Sequence, residues 1–198
     1  MSRTLEFYFD YGSPYSYLAD TQVEGIAGRT GATLTRKPML LGGVFKATGN
    51  SSPAEQPLKS KWSAFDMPMW ARHYGVPFQR NPHFPVNTLA LMRGAAAAEL
   101  DGTFEIYHPA MFKAMWVDGR NLNDLKEVAA VLIQAGLDAA HIAKRIQDQD
   151  VKDRLKATTD EAVARGVFGA PTSFVGEMMF FGNDRLPFVE QALKGEQI

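Results

Sequence analysis

The N-terminal part of the chain carries the alternating apolar pattern of β-strands around one helical segment. Residues 4–9 place three apolar side chains on one face, and residues 32–38 alternate again before ending at a proline. Residues 14–28, which lie between them, have a helical pattern that stops near two glycines. This short β-α-β unit predicts two parallel strands joined by a right-handed crossover.

The middle of the chain has a different character. From Pro53 to about Leu155 the pattern is helical, and glycines and prolines repeatedly interrupt it. An alanine run at 95–98 indicates helix propensity and close packing. No linker rich in Gly or Ser separates this region from the rest. We therefore expect an all-helical domain, residues 51–154, inserted into a domain formed by residues 1–50 and 155–198.

Strand patterns return near the C-terminus. The segments TSFV and MMFF, bridged by Gly176 and Glu177, predict a β-hairpin, and a final helix is expected to begin near Asp184. The whole order is β-α-β, a helical insertion, then β-β-α. It predicts an α/β protein of thioredoxin-like layout, in which one small mixed sheet is divided in sequence by the inserted helices.

Composition narrows the function classes. The chain has 198 residues, a formal charge of -1 and no cysteine, so it has no thiol chemistry of its own. The near-neutral net charge does not indicate binding to nucleic acid or to an anionic membrane. No apolar run is as long as the roughly 20 residues that a helix needs to span a bilayer. The four histidines lie ten or more residues apart, and no metal site is expected. We expect a cytoplasmic protein.

The segment Ser13-Pro14-Tyr15-Ser16 stands at the start of the first predicted helix. Serine is a favoured N-cap, and proline is pre-organised for the first helical position. The same helix start presents unpaired N–H groups and the positive end of the helix dipole, which stabilise an anion. Thioredoxin-like proteins hold a reactive thiol here. Ser13 can instead donate a hydrogen bond to a thiolate supplied by another molecule, and the two interpretations are compatible.

Three further stretches have both a structural and a functional interpretation. Pro171 is either an ordinary strand-start residue or part of a cis Ala170-Pro171 bond that exposes the Ala170 backbone to an extended ligand. Asn183 or Asp184 is a natural N-cap for the last helix, and the same helix start can bind charged groups. Asn50 fits a turn in a loop that carries two basic residues.

Taken together, these motifs resemble the 2-hydroxychromene-2-carboxylate isomerase family and, more distantly, the kappa-class glutathione transferases. The resemblance spans nearly the whole chain. It is carried in order by FYFDYGSPYSYLA, LLGGVFKATGNSSPAE, WARHYGVPF with NPHFPVNT, and VFGAPTSFVGEMMFFGNDRL. One departure is the tail MMFFGND, where family members often have tryptophans, so Phe180 and Phe181 are expected to shape a different pocket.

The resemblance implies a glutathione-dependent isomerase that opens a bicyclic hemiketal acid during aromatic breakdown, and it suggests a homodimer. Ser13 would lie beside the glutathione sulfur. The residues implied to bind the rest of the tripeptide are Asn50, Lys59, Ala170, Asn183 and Asp184. The side chains expected to line the pocket for an aromatic-derived substrate are Tyr15, Phe84, Trp116 and Phe181.

Two other functions remain open at this stage. The same thiolate site would serve a glutathione transferase that releases a conjugate with another electrophile. A thioredoxin-like domain without cysteines can also act as a peptide-binding or assembly module. The aromatic residues that would then line a partner groove, although core packing suits most of them, are Trp62, Phe65, Trp70, Phe84 and Trp116.

Overall fold

The computed structural model describes residues 3–198 and contains one four-stranded mixed sheet with helices on both faces. The strands are β1 (Thr4–Phe9), β2 (Thr33–Pro38), β3 (Thr172–Val175) and β4 (Met178–Phe181). The helices are α1 (Pro14–Thr30), α2 (Leu41–Thr48), α3 (Pro57–Tyr74), α4 (Leu89–Leu100), α5 (Phe104–Trp116), α6 (Leu125–Gln134), α7 (Ala139–Arg145), α8 (Gln149–Ala164) and α9 (Leu186–Lys194). Short 3₁₀ turns span Pro53–Glu55 and Asn183–Arg185.

The sheet has the order β2-β1-β3-β4. β1 pairs in parallel with β2 and antiparallel with β3, and β3 and β4 form an antiparallel hairpin. The thioredoxin-like α/β fold predicted from the sequence is therefore confirmed, together with the parallel crossover and the hairpin. Within residues 3–198, no helix is long and apolar enough to cross a membrane.

The apolar side chains of β1 pack on both faces of the sheet. Leu5, Phe7 and Phe9 join the main core, whereas Tyr8 packs on the other face in a smaller cluster with residues of α2 and α8. The Tyr8 hydroxyl lies 2.8 Å from Glu161 Oε1.

A buried polar cluster joins α5 to α1 and β2. Asp20 on α1 accepts a 2.8 Å hydrogen bond from Arg36 Nε, and His108 Nε2 of α5 lies 3.0 Å from the same carboxylate. The other ring nitrogen of His108 lies 3.2 Å from the Tyr11 hydroxyl. Burial works to raise the pKa of Asp20, but the two basic neighbours outweigh it and lower that pKa.

One local prediction was wrong, and one stays a prediction. The last helix begins at Leu186 and its N-cap position is Arg185, with no side-chain cap, so neither Asn183 nor Asp184 caps it. Those two residues form the preceding 3₁₀ turn instead. The domain division at 154/155 remains a prediction, and α8 runs across that position.

Candidate functional site

The loop after β1 is organised by a buried carboxylate. Asp10 accepts 2.8 Å hydrogen bonds from the backbone N–H groups of Gly12 and Leu41, and a 3.1 Å bond from the Thr88 hydroxyl. Burial raises the pKa of Asp10 above its usual value, and these three donors oppose that rise. One side chain thus fixes the starts of α1, α2 and α4 relative to each other. The sequence analysis did not identify Asp10 as a site residue.

Ser13 caps α1 as the sequence predicted. Its hydroxyl oxygen accepts the Ser16 N–H at 3.1 Å and donates to the Ala170 carbonyl at 3.0 Å. The side chain is buried, with 5% of the residue exposed. Pro14 has no N–H, and among the described residues the Tyr15 N–H has no hydrogen-bond acceptor. The first turn of α1 therefore presents one free backbone donor beside a hydroxyl.

The loop before β3 faces this helix start. The Ala170-Pro171 bond is cis, and the Ala170 carbonyl accepts the Ser13 hydroxyl. Gly169 has no room for a side chain, because a Cβ there would lie 2.7 Å from the Phe181 ring. Asn50 Nδ2 donates to the Phe168 carbonyl at 2.8 Å and so ties the α2 end to the same loop.

These elements, together with α3 and the loop that carries Arg80 and Phe84, enclose a cleft of about 130 Å³. Its lining includes many of the residues predicted from the sequence: Ser13, Tyr15, Asn50, Phe84, Trp116, Ala170 and Phe181. Most of the remaining wall is apolar, from Pro14, Leu41, Phe45, Pro53 and Met67, with Ser60 and Ser63 of α3 adding hydroxyls. Aromatic and apolar walls with a few polar groups are typical of small-molecule sites.

Two of the aromatic residues belong as much to the core as to the cleft. Trp116 is almost fully buried and donates its indole N–H to the Tyr11 carbonyl at 2.7 Å. Phe84 lies against it, with 5.8 Å between the ring centroids.

The Tyr15 hydroxyl donates to Asp66 Oδ2 on α3 at 2.8 Å, and burial together with that carboxylate raises the pKa of Tyr15. Tyr15 therefore holds α3 to the helix start.

Three of the predicted glutathione ligands do not line the cleft. Lys59 is exposed on the first turn of α3. Asn183 is buried, and its carbonyl accepts the Tyr74 hydroxyl at 3.0 Å. Asp184 pairs with the adjacent Arg185 at 2.6 Å. Their assignment to the tripeptide stays a prediction.

Arg80 is a cleft residue that the sequence analysis missed. It is the only lining residue with a formal charge, and within residues 3–198 its guanidinium has no acidic or carbonyl partner. The next residue fixes its position, because buried Asn81 donates to the carbonyls of Met115 and Arg120 at 3.0 and 2.9 Å. The one sequence signal was its place directly before the quoted NPHFPVNT motif.

A thioredoxin-like sheet, a capped helix start and a facing cis-proline loop define a protein of the thioredoxin class, and this one has no cysteine of its own. Comparison with known proteins agrees with this class, since the DSBA-like thioredoxin domain matches residues 4–194. The 2-hydroxychromene-2-carboxylate isomerase of Sphingobium xenophagum is 32% identical over 197 residues, covering 98% of this chain and 99% of the relative. Human glutathione S-transferase kappa 1 is 28% identical over 211 residues, and the match covers 98% of this chain and 92% of that relative. The chain therefore belongs to the family of DSBA-like thioredoxin domains, together with the 2-hydroxychromene-2-carboxylate isomerases.

Solved structures extend the comparison. A 2-hydroxychromene-2-carboxylate isomerase structure superposes with a TM-score of 0.85 at 30% identity, covering 96% of this chain and 94% of the other. A probable DsbA oxidoreductase from Streptomyces coelicolor superposes with a TM-score of 0.76 at 19% identity, covering 99% and 92%. The second match shows the shared fold alone.

Proposed function

We propose that this protein is a glutathione-dependent isomerase that converts 2-hydroxychromene-2-carboxylate-type hemiketals to trans-o-hydroxybenzylidenepyruvate-type products in aromatic degradation. The observation that carries the proposal is the start of α1, where Ser13 and a free Tyr15 N–H face a cleft in a chain without cysteine. The names of the isomerase relatives, which match nearly the full length, supply the substrate class.

The residues at the helix start suit a thiolate. A free thiol has a pKa of about 8.5, and a helix N-terminus lowers it. The Tyr15 N–H, the helix dipole and the Ser13 hydroxyl would each stabilise the charged sulfur. When bound, glutathione would supply a nucleophile that adds to the conjugated substrate and is expelled unchanged after ring opening and bond rotation.

Ser13 and Ala170 form the second part of the argument. The Ser13 hydroxyl donates to the Ala170 carbonyl at 3.0 Å, and the Ala170 N–H has no acceptor within the described residues. An extended peptide backbone would pair with both groups of Ala170, as one strand pairs with another. Its N–H would compete for the carbonyl and release the Ser13 hydroxyl to turn toward the sulfur. Cofactor binding would thereby prepare the catalytic donor.

Arg80 and the aromatic walls fit the second substrate. A single unpaired guanidinium in a mostly apolar cleft attracts a carboxylate, and Arg binds that group in a bidentate manner. Phe45, Phe84 and Trp116 would contact the aromatic ring of the substrate. Asn50, which holds the loop before Ala170, would act on the tripeptide side of the cleft.

Lys59, Asn183 and Asp184 are kept as proposed glutathione ligands on the strength of the resemblance. A cytoplasmic location fits the proposal, because reduced glutathione is maintained there. Binding of glutathione is tested by isothermal titration calorimetry. No heat at millimolar glutathione would leave a peptide-binding module as the better description.

Product analysis separates the isomerase from a transferase, the second candidate, which the kappa-class relatives favour. The protein is incubated with the hemiketal acid and a stoichiometric amount of glutathione, and both are followed by liquid chromatography. Isomerisation leaves all glutathione free while the open-chain product accumulates. Loss of one glutathione per turnover with appearance of a conjugate would replace the proposal by a transferase.

A further inference from the structure

A second groove lies between α2, α4 and α8, apart from the cleft. Its volume of about 610 Å³ is within the range of small-molecule sites. α2 separates the two spaces, because Leu41 and Phe45 line the cleft whereas Gly43 and Ala47 line the groove. Not one residue of the groove lining also lines the cleft. A ligand of the groove would therefore occupy a site of its own.

Two cations of the groove have no anionic partner. Arg93 on α4 is partly buried, and within residues 3–198 its guanidinium has no carboxylate or carbonyl partner. Lys152 on α8 is also partly buried and forms no ion pair in the same part of the chain. The third cation of the lining, Lys156, is already paired with Asp160 one turn further along α8. Arg93 and Lys152 are thus free to bind an anion.

The charges of the lining favour a single negative charge on that ligand. Three cations face two carboxylates, and the second carboxylate, Asp153, accepts a 2.8 Å hydrogen bond from the Gln149 amide. A monoanion balances the remaining positive charge, whereas a phosphate monoester carries about 1.5 to 2 negative charges at pH 7 and exceeds it. The guanidinium of Arg93 suits a carboxylate, because its planar fork can donate to both oxygens at once.

The rest of the groove wall is aliphatic. Its apolar lining residues are Leu40, Ala47, Leu89, Leu155, Val163 and Ala164, and no aromatic side chain of the described residues joins them. α2 packs against the second half of α8, where the Thr159 hydroxyl accepts the Leu40 N–H at 3.0 Å. Lys152 precedes Val163 by eleven residues, which is about 16 Å along the helix. Along α8 the groove therefore changes from charged to aliphatic.

We propose that this groove binds a medium-chain aliphatic carboxylate. The head would lie between Arg93 and Lys152, and the chain would follow α8 toward Val163. The cleft, by contrast, presents Phe45, Phe84 and Trp116 to an aromatic ring. Each methylene that becomes fully buried should raise the affinity roughly fourfold. Head and chain are both needed, because neither the two cations nor the aliphatic wall alone selects such a ligand.

The test titrates octanoate into the full chain by isothermal titration calorimetry. Glutathione is absent, so the outcome does not depend on the proposed function. Octanoate should bind at one site per chain. Acetate, which has the head without the chain, and 1-octanol, which has the chain without the charge, should each bind at least roughly tenfold more weakly.

Three single variants locate the octanoate site. Arg93→Gln should weaken octanoate binding roughly tenfold, because a hydrogen bond to a charged group is lost. Lys152→Gln should weaken it by a smaller factor of about three, because the ammonium acts as a partly solvated point charge. Arg80→Gln is the matched control: it removes the unpaired cation of the cleft and should bind octanoate as tightly as the wild type. Far-UV circular dichroism checks that all three variants are folded.

Four outcomes would overturn the proposal. The first is a titration of the wild type with octanoate that gives no binding heat. The second is 1-octanol or octyl phosphate that binds as tightly as octanoate, since the carboxylate is then not selected. The third is an unchanged octanoate affinity in Arg93→Gln or in Lys152→Gln. The fourth is a loss of binding in Arg80→Gln, which would place octanoate in the cleft.

Discussion

Replacing Ser13 by alanine separates the structural and chemical roles of its hydroxyl. In the folded chain that oxygen accepts the Ser16 N–H and donates to the Ala170 carbonyl. Loss of an N-cap costs about 1 kcal/mol, and loss of a neutral hydrogen bond about another 1 kcal/mol. We expect Ser13→Ala to lower the free energy of unfolding by about 2 kcal/mol. For a chain of this size that corresponds to a fall in Tm of about 4–8 °C, measured by thermal circular dichroism.

The fall in turnover of Ser13→Ala should be larger than the loss of folded protein can explain. A hydrogen bond to a charged group contributes about 1.5–3 kcal/mol, so turnover should fall by a factor of roughly 10 to 150 if Ser13 donates to the thiolate. Steady-state kinetics with saturating glutathione at 25 °C, where the variant remains folded, measures this factor. The pKa of bound glutathione, followed by thiolate absorbance, should rise in parallel. Unchanged turnover and thiolate pKa would refute the role given to Ser13.

Ser16→Ala is a matched control on the same helix turn. The Ser16 hydroxyl is buried and has no hydrogen-bond partner among the described residues. Because an unsatisfied buried hydroxyl is unfavourable, its removal should leave Tm unchanged or raise it slightly, with turnover unaffected. If turnover fell as far in Ser16→Ala as in Ser13→Ala, the loss would come from a general disturbance of the helix start and not from the Ser13 hydroxyl.

Three further predictions concern the cleft, the polar cluster and the core. Arg80→Gln should raise the KM for the carboxylate substrate at least tenfold and leave glutathione affinity unchanged, as measured by kinetics and calorimetry. Asp20→Asn should destabilise the protein by about 3–5 kcal/mol at pH 7, measured by urea titration. Because the folded pKa of Asp20 is lowered, this stabilisation is present above the unfolded pKa of about 3.9 and is lost as pH falls through the folded value. Gly94→Ala should lower the free energy of unfolding by at least about 3 kcal/mol, since a Cβ there overlaps the buried Tyr107 hydroxyl, which donates to a backbone carbonyl.

Each of these predictions has its own control. Lys59 is the exposed cation predicted to bind the tripeptide. Lys59→Gln should therefore lower the affinity for glutathione and leave the KM for the carboxylate substrate unchanged. The reverse pattern would exchange the roles of Lys59 and Arg80. For Asp20→Asn, a stability difference from wild type that stays constant between pH 7 and pH 3 would contradict the assigned ionisation. Gly28→Ala, on an open face of α1, should be neutral or stabilising by about 0.5–1 kcal/mol.

The local elements followed from short-range physics and were visible in the sequence. Alternating apolar residues predicted β1 and the β3–β4 hairpin, because a strand turns successive side chains to opposite faces. The Ser13-Pro14 pair predicted a cap, because both residues act on the first turn of their own helix. Ordered motifs along the chain then predicted the family. Each inference needed only neighbouring residues or their order.

The cleft depended on contacts between distant segments, which only the tertiary structure decided. Arg80 lines the cleft, and Asp66 accepts the Tyr15 hydroxyl, because the helical middle of the chain folds back over the start of α1. Ser13 meets Ala170 although 157 positions separate them. Asn183, by contrast, turns inward to Tyr74, since a short 3₁₀ turn replaces the predicted cap. Local propensity fixes backbone conformation over a few residues, but a side chain's neighbours are set by how whole helices and strands pack.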